Sequence, residues 1–419
     1  MHTLQTYLAK QQTPVLETLA SPVSAMCMTV VIPCYDEPEV LLTLRSLSQC
    51  HCPNGHVEVL LVVNHKQDSP DVAVAQNQKT IAEVKAWAHE LQLEWLTIHV
   101  IAIGLMVGKH AGVGLARKIG LDLATARFES IKKHGLLLNL DADCTVSLDY
   151  FTQVQSAFAS KKMPAGHCQF AHALTGELDE PIYQGIARYE LYLRYYQNAL
   201  AYAGSPYAMY TIGSCIVVTT KAYAQSGGMN RRQAGEDFYF LQKLRGMGEV
   251  ASISAMVYPS TRYSNRVPFG TGKAIEQWVE GDKEGYLTMP FQAFEDLKQL
   301  YLAVEWVYHN PEKYPEISVV MQAFLQQQQF LSKVQGMRLN SRAFKAFKKH
   351  FQHWLNGFMC LKFIHFSEAE CYPQEELLAV AEVLLQKLGQ KVPERDYQSQ
   401  LLAFRRWDAK LEKSATYQV

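Results

Sequence analysis

Apolar and polar positions alternate along this chain with two periods. Residues 29–33, "TVVIP", form a short β-branched run closed by a proline. From about 39 to 49 the period becomes helical, with Leu41, Leu42, Leu44 and Leu47 on the apolar side. Residues 57–63 are a second apolar strand, a helical pattern covers about 72–91, and 96–103 is a third strand. A glycine-rich connection then leads to helical character over 112–126, and 135–140 is the next strand. Strands alternating with helices pair in parallel through right-handed crossovers, which predicts an α/β sheet. In such sheets ligands bind at the carboxyl ends of the strands. That rule puts residues 34–37, Asn64, the 104–114 loop and residues 141–145 along one rim.

Further on, 181–202 is an aromatic-rich helical segment, and 214–220 and 250–257 read as strands. Its tyrosines are expected to pack a core or a domain seam rather than to stack a sugar. After Pro290 the pattern is helical nearly to the end, over about 291–309, 315–334, 341–363 and 374–388. The expected organisation is an extension over 1–25, a sheet domain over 26–289 and a helical region over 290–419.

With 419 residues the chain exceeds what one core usually supports. Its 40 basic and 40 acidic side chains cancel, which argues against a dedicated nucleic-acid binder. The N-terminal residues hold no apolar targeting segment, and nowhere do about 18 uncharged apolar residues run together. Nine cysteines lack a secreted-framework spacing. A cytoplasmic protein without a transmembrane segment is therefore expected. The cluster from Cys50 to His56, "CHCPNGH", lacks a downstream ligand pair at zinc spacing and reads as a helix end and turn.

Candidate chemistry concentrates in residues 136–146, "LLLNLDADCTV", an apolar run that delivers Asp141 and Asp143 to the rim. Two chemistries use such a string. A haloacid-dehalogenase-type phosphatase would make Asp141 a nucleophile and Asp143 a general acid and base. A nucleotide-sugar glycosyltransferase would hold a divalent cation against a diphosphate. A dinucleotide fold is set aside, because the turn after the first strand, "PCYDEP", has no glycine. A Walker loop fails at "GLMVGKH", with three residues between the glycines and His110 after Lys109, although Lys109 remains a good phosphate contact.

Four ordered segments carry a resemblance. Residues 29–47, "TVVIPCYDEPEVLLTLRSL", resemble the opening of family 2 glycosyltransferases of the GT-A fold. Residues 112–124, "GVGLARKIGLDLA", resemble that family's Gly-x-x-x-Ala-Arg-Asn-x-Gly segment, with Lys118 in place of the usual Asn. Residues 137–149 resemble its strand, D-x-D and following helix start. The stretch from Gly213 through "SGGMNRRQAGEDFYFLQKLRGMG" resembles its Gly-Gly and Glu-Asp portion. The phosphatase reading, by contrast, wants its nucleophile on the first strand and later acids at a spacing that the chain lacks.

The resemblance implies a GT-A-type mixed, mainly parallel sheet flanked by helices, with a helical C-terminal region. It implies inverting transfer of a single sugar from a nucleoside-diphosphate sugar, a UDP-sugar being favoured, to an unknown acceptor hydroxyl. Processive polymerases carry a Gln-x-x-Arg-Trp that is absent here. Asp143, with Asp141, would hold Mn²⁺ or Mg²⁺. Asp237 would be the base and Glu236 would position the acceptor. Pro33, Tyr35, Asp36 and Glu37 would face the nucleoside. Asn64 stands where many members carry an Asp for the uracil. Lys109 and Arg117 would meet phosphate or ribose, a solvated helix position being the equal alternative for Arg117, and Asp141 would contact ribose as well. Arg262 and Arg266 lie in a glycine- and cation-bearing loop, 258–273, able to close over a diphosphate, with a plain surface loop as the equal alternative. The basic stretch 338–349, followed by Phe351, Trp354 and Phe358, offers a peripheral contact with a membrane-borne acceptor; ordinary packing is the favoured reading.

Overall fold

The computed structural model describes all residues except 12–18, 107–110, 161, 231–234, 263–274, 277, 280, 282–285, 393 and 417–419. Two compact units divide it: Met1–Ala173 with Thr211–Lys273, and Leu174–Tyr210 with Ala274–Val419. These limits differ from the sequence boundaries, because residues 1–11 and 19–25 go with the sheet and the tyrosine-rich helix goes with the C-terminal helices.

The strands are β1 (Met26–Cys34), β2 (His56–Lys66), β3 (Leu96–Met106), β4 (Leu136–Asn139), β5 (Cys144–Val146), β6 (Ala165–Phe170), β7 (Ile216–Thr219) and β8 (Val250–Pro259). The helices up to the last of these are α1 (His2–Leu8), α2 (Val40–Ser48), α3 (Asp71–Glu90), α4 (Val113–Ser130), α5 (Tyr150–Ser160), α6 (Glu180–Tyr202), α7 (Thr220–Gln225) and α8 (Glu236–Met247). Among the described residues the strands form one eight-stranded sheet in the order β3-β2-β1-β4-β7-β6-β8-β5. The first four neighbours run parallel, whereas β7 is antiparallel to both β4 and β6. The pattern predicts an α/β sheet and the resemblance implies a mixed, mainly parallel one with flanking helices and a helical C-terminal region, and this is the architecture observed.

Parallel strands covered on both faces need unbroken apolar sequence. Val30, Val31 and Ile32 of β1 and Leu60, Leu61 and Val62 of β2 are all fully buried. β1 lies between its partners with Val31 opposite Leu60 on one side and Asn139 on the other. This register brings the ends of β1, β2 and β4 to one rim. β5 and β6 were not foreseen from the pattern. β5 has three residues, and β6, "AGHCQF", shows neither alternation nor a long apolar run.

Helix α1 also escaped the sequence reading. It buries Leu4 and Tyr7. The Tyr7 hydroxyl donates to Asp122 Oδ1 of α4 at 2.6 Å, and the Tyr223 hydroxyl of α7 reaches the same oxygen at 2.7 Å. Lys118 Nζ donates to Asp122 Oδ2 at 2.7 Å and to Tyr7 at 3.0 Å. Lys118 thus serves a buried polar cluster that seats α1, which is why it tolerates burial.

A second buried pair joins the sheet to α4. Arg127 donates from Nε to Glu58 Oε2 at 2.6 Å and from Nη2 to Oε1 at 2.7 Å. Burial pushes the Glu58 carboxyl up, but bonds from Arg127 and His99 prevail and hold it at about 2, below its ordinary 4.5. A group depressed by folding stabilises above its unfolded pKa, and that stability fades as pH falls through the folded value. Urea unfolding of Glu58→Gln is therefore expected to show about 3 kcal/mol less stability at neutral pH. The gap to wild type should close as pH drops from about 4.5 to about 2. A gap independent of pH would contradict the pairing.

In the helical unit, α6 is followed by α9 (Phe291–Leu302), α10 (Val304–His309), α11 (Val319–Gln327), α12 (Phe330–Leu339), α13 (Phe344–Trp354), α14 (Gly357–Glu370), α15 (Leu377–Lys387) and α16 (Tyr397–Thr416). Phe294, Phe324, Phe330, Phe347, Phe351, Phe363 and Phe404 share one core. Tyr195 of α6 belongs to it, edge-on to Phe294 with ring centres 5.7 Å apart. Arg194, buried between α6 and α16, pairs with Glu190 at 2.8 Å and with Asp408, to which the Tyr210 hydroxyl donates at 2.7 Å. A further short antiparallel pair, β9 (Leu287–Thr288) with β10 (Glu375–Glu376), closes this unit. No helix among the described residues is long and apolar enough to cross a membrane.

Candidate active site

The sheet-bearing unit gathers acids from three chain segments around one arginine. Arg117 lies in the second turn of α4 and is 3% exposed. Its Nη2 donates to Asp141 Oδ1, beyond the end of β4, at 2.6 Å. Its Nη1 donates to Glu236 Oε1, at the start of α8, at 2.6 Å. Burial opposes the charge on Arg117, yet Asp141, Glu236 and Asp237 together raise its pKa, so it stays a guanidinium. Sequence reasoning put Arg117 at phosphate or ribose, with a solvated helix position as the alternative. In the structure its terminal nitrogens donate to carboxylates, and its burial excludes the solvated position.

Two glycines make this arrangement possible. A Cβ on Gly213 would lie 2.8 Å from Arg117 Nη1, so a side chain there would displace the guanidinium. Gly235, the N-cap of α8, has φ +67°, a left-handed conformation that glycine adopts without strain. It turns the chain so that Glu236 and Asp237 open the helix, where two negative charges also suit the helix dipole.

Asp237 is half-buried next to this cluster. Burial raises its carboxyl most, Glu236 adds to the shift, and Arg117 opposes it, leaving the pKa at about 6. A carboxyl group poised there can take up a proton near neutral pH, which an ordinary surface Asp does poorly. Its Oδ1 accepts from the backbone N–H of Phe238 at 2.7 Å, which fixes its orientation.

The loop that bears Asp141 and Asp143 is tied down by its surroundings. Thr43 of α2 donates to the Ala142 carbonyl at 2.8 Å, and Leu140 N–H donates to the Val31 carbonyl at 3.1 Å. Asn139 donates to the Ile216 carbonyl at 3.0 Å. Thr145 belongs to β5, opposite Tyr258.

Across the rim, Pro33 and Cys34 are the buried end of β1, and Tyr35 and Asp36 are half-exposed. Asp36 is a non-glycine residue with φ +50°, held by its N–H donating to Asn77 Oδ1 at 2.9 Å. The same Asn77 donates to the Asn64 carbonyl at 2.9 Å, so α3 fastens the ends of β1 and β2 together. Asn64 itself is buried. Glu37 is fully buried; it accepts from the Glu39 N–H at 2.9 Å and pairs with Arg262. Arg262 also donates to Glu39 Oε2 at 2.6 Å. Burial lowers the pKa of Arg262, but Glu37 outweighs this, with smaller contributions from Asp143 and Glu39, so the net shift is upward. Lys109 and Arg266 lie outside the described residues.

Among the predicted residues, Arg117, Asp141, Glu236 and Asp237 form one electrostatic cluster. Arg262, Glu37 and Glu39 form another, to which Asp143 contributes. Glu39, Asn77, Thr43 and Gly213 escaped the sequence reading. Each acts through contacts with residues distant in sequence, which no periodicity reveals. At His56 both ring nitrogens have protein partners, the Glu94 carbonyl at 3.1 Å and the Thr97 hydroxyl at 2.9 Å, in agreement with a structural role.

Among the described residues no three His, Cys, Asp or Glu side chains are arranged to hold a metal ion by themselves. A divalent cation here would rely on Asp143 and the half-exposed Asp141, with other ligands from a diphosphate and water. Magnesium sites on one or two carboxylates are built in this way, so the donor set fits such an ion.

No protein-family model matches the chain, and no curated protein does. Among solved structures, residues 1–349 of S. aureus TarS in complex with UDP-GlcNAc share 11% identity over 92% of each chain, with a TM-score of 0.38. GalNAc-T7 with UDP, GalNAc and Mn²⁺ shares 13% identity over 83% of this chain and 58% of that one, with a TM-score of 0.36. Likeness this slight decides neither the fold nor the chemistry of the present chain.

Proposed function

We propose that this protein is a family 2, GT-A-type glycosyltransferase that moves a single hexose from a nucleoside-diphosphate sugar, preferably a UDP-sugar, to an acceptor hydroxyl with inversion. The observation that carries this reading is the Arg117 bridge. It joins the acid after β4 to the Glu-Asp pair that opens α8, two of the four segments on which the resemblance rests, over 119 residues of sequence between Arg117 and Glu236. Nine free cysteines suit a reducing cytoplasm. The catalytic domain is proposed to span 26–289.

In this reading Asp237 accepts the proton of the acceptor hydroxyl as its oxygen bonds to the sugar carbon, while the bond from that carbon to the diphosphate breaks on the opposite face. Glu236, held by Arg117, positions the acceptor. Pro33, Tyr35, Asp36, Glu37 and Asn64 line the nucleoside side, and Lys109, Arg262 and Arg266 meet the phosphates. Asp143 and Asp141 hold Mn²⁺ or Mg²⁺, which when bound neutralises charge on the departing diphosphate.

Calorimetric titration of UDP with manganese tests the reading. Wild type should bind more tightly with the cation than without it. Asp143→Ala should lose that increment, about a hundred-fold in affinity on the scale of a charge-assisted site. Equal binding by the variant, or no nucleoside diphosphate bound at all, would remove the proposal.

A further inference from the structure

The chain has no net charge, yet its cations are unevenly placed. Residues 317–367 contain seven Lys or Arg and no Asp or Glu. They fold into α11, α12, α13 and most of α14, and the structure separates the two faces of α13. Phe347 and Phe351 are fully buried in the core of the helical unit, with Phe344 and Trp354 packed beside them. Lys345, Lys348 and Lys349 occupy the opposite stripe at spacings of three and four residues, and all are exposed. Arg342 is exposed just before the helix.

None of these four cations is paired with a carboxylate among the described residues. Elsewhere in the helical unit, cations find acids readily: Lys387 meets Glu295, Arg395 meets Glu376 and Arg405 meets Glu190. Beside the unpaired cations lies an open hollow of about 490 Å³ lined by Tyr308, His309, Arg338, Leu339 and Ser341. Arg338 lies over the Tyr308 ring at 4.4 Å and donates to the Ser341 carbonyl at 3.3 Å. Ser341 meets His350 of α13 at 3.2 Å, which joins the hollow to the basic helix. Leu339, on the same hollow, is 88% exposed.

We infer that this face docks on an anionic phospholipid bilayer. Core packing accounts for the aromatic stripe of α13, but it leaves the lysine stripe with no internal partner. Unpaired cations around an exposed leucine complement a surface that offers phosphates outside and hydrocarbon beneath. Duplex nucleic acid offers the charges without the apolar layer, and Leu339 would have nothing to enter.

Sedimentation with sucrose-loaded vesicles tests this on the whole 419-residue chain. Equal parts of phosphatidylcholine and phosphatidylglycerol should retain it, and phosphatidylcholine alone should not. Each lysine near an anionic bilayer raises partitioning about five-fold, so the combined Lys345→Ala, Lys348→Ala and Lys349→Ala changes should weaken binding about a hundred-fold. The corresponding triple arginine variant should bind as wild type does, and circular dichroism should show all three proteins folded. Equal retention on neutral vesicles, unchanged binding by the alanine variant, or equal affinity for duplex DNA would each overturn the inference. The readout is binding rather than transfer, so the result stands apart from the proposed reaction.

Discussion

Asp237→Asn should lower transfer about a thousand-fold, within the range that one positioned general base supplies, while nucleotide binding stays at the wild-type level. The amide keeps the shape of the side chain but cannot take a proton from the acceptor. In the wild-type enzyme kcat/KM should rise with pH through about 6 and then level off. Burial and Glu236 raise the Asp237 carboxyl to that value, and only the ionised form acts as base. The low-pH limb should vanish from whatever activity the variant keeps. Steady-state rates over a pH series with a saturating nucleotide sugar supply the check. A variant that kept about a tenth or more of wild-type kcat would show that another group is the base.

Arg117→Met should damage stability and chemistry together. Its guanidinium is the partner of Glu236, which is almost fully buried, and of Asp141, which is 39% exposed. Removing one member of a buried ion pair typically costs about 3–5 kcal/mol, and solvent around Asp141 sets the expectation at the lower end. Urea unfolding measures it. The chemistry provides a separate sign: Arg117 holds the Asp237 carboxyl down, so without it the pH limb of any residual activity should move above 6. Arg117→Lys should fall between, because a single ammonium cannot span two carboxylates as the planar fork does. A stability loss with no movement of the pH limb would make Arg117 structural only.

Much of the sheet was legible because its central strands β1, β2 and β4 are almost wholly buried and read as apolar runs. β1 to β4 and α2 to α4 fall within a few residues of their expected limits. Turns were harder. The predicted 291–309 helix is broken at Ala303, and those over 315–334 and 341–363 are each divided in two. Period alone does not register a helix break, since the apolar stripe can resume after one residue. The α16 helix was missed because its buried face carries polar Gln400 and Asp408 beside Leu401 and Phe404, which interrupts the apolar stripe.

The candidate site divides in a similar way. Asp141, Asp143, Glu236 and Asp237 could be named from the sequence because each ends or begins a regular element at a rim that strand alternation already defines. What each acid does electrostatically was decided only in three dimensions. Arg117 lies on a helix whose face gives no hint that it points at two acids, one 24 and one 119 residues away. Lys118, beside it, turns to the α1 cluster. The raised Asp237 carboxyl and the lysine stripe without carboxylate partners depend on which groups share a low-dielectric neighbourhood. Local period and residue type govern which elements form and what chemistry they carry. Burial and charge pairing depend on distances between segments remote in the chain, and those distances exist only once the chain has folded.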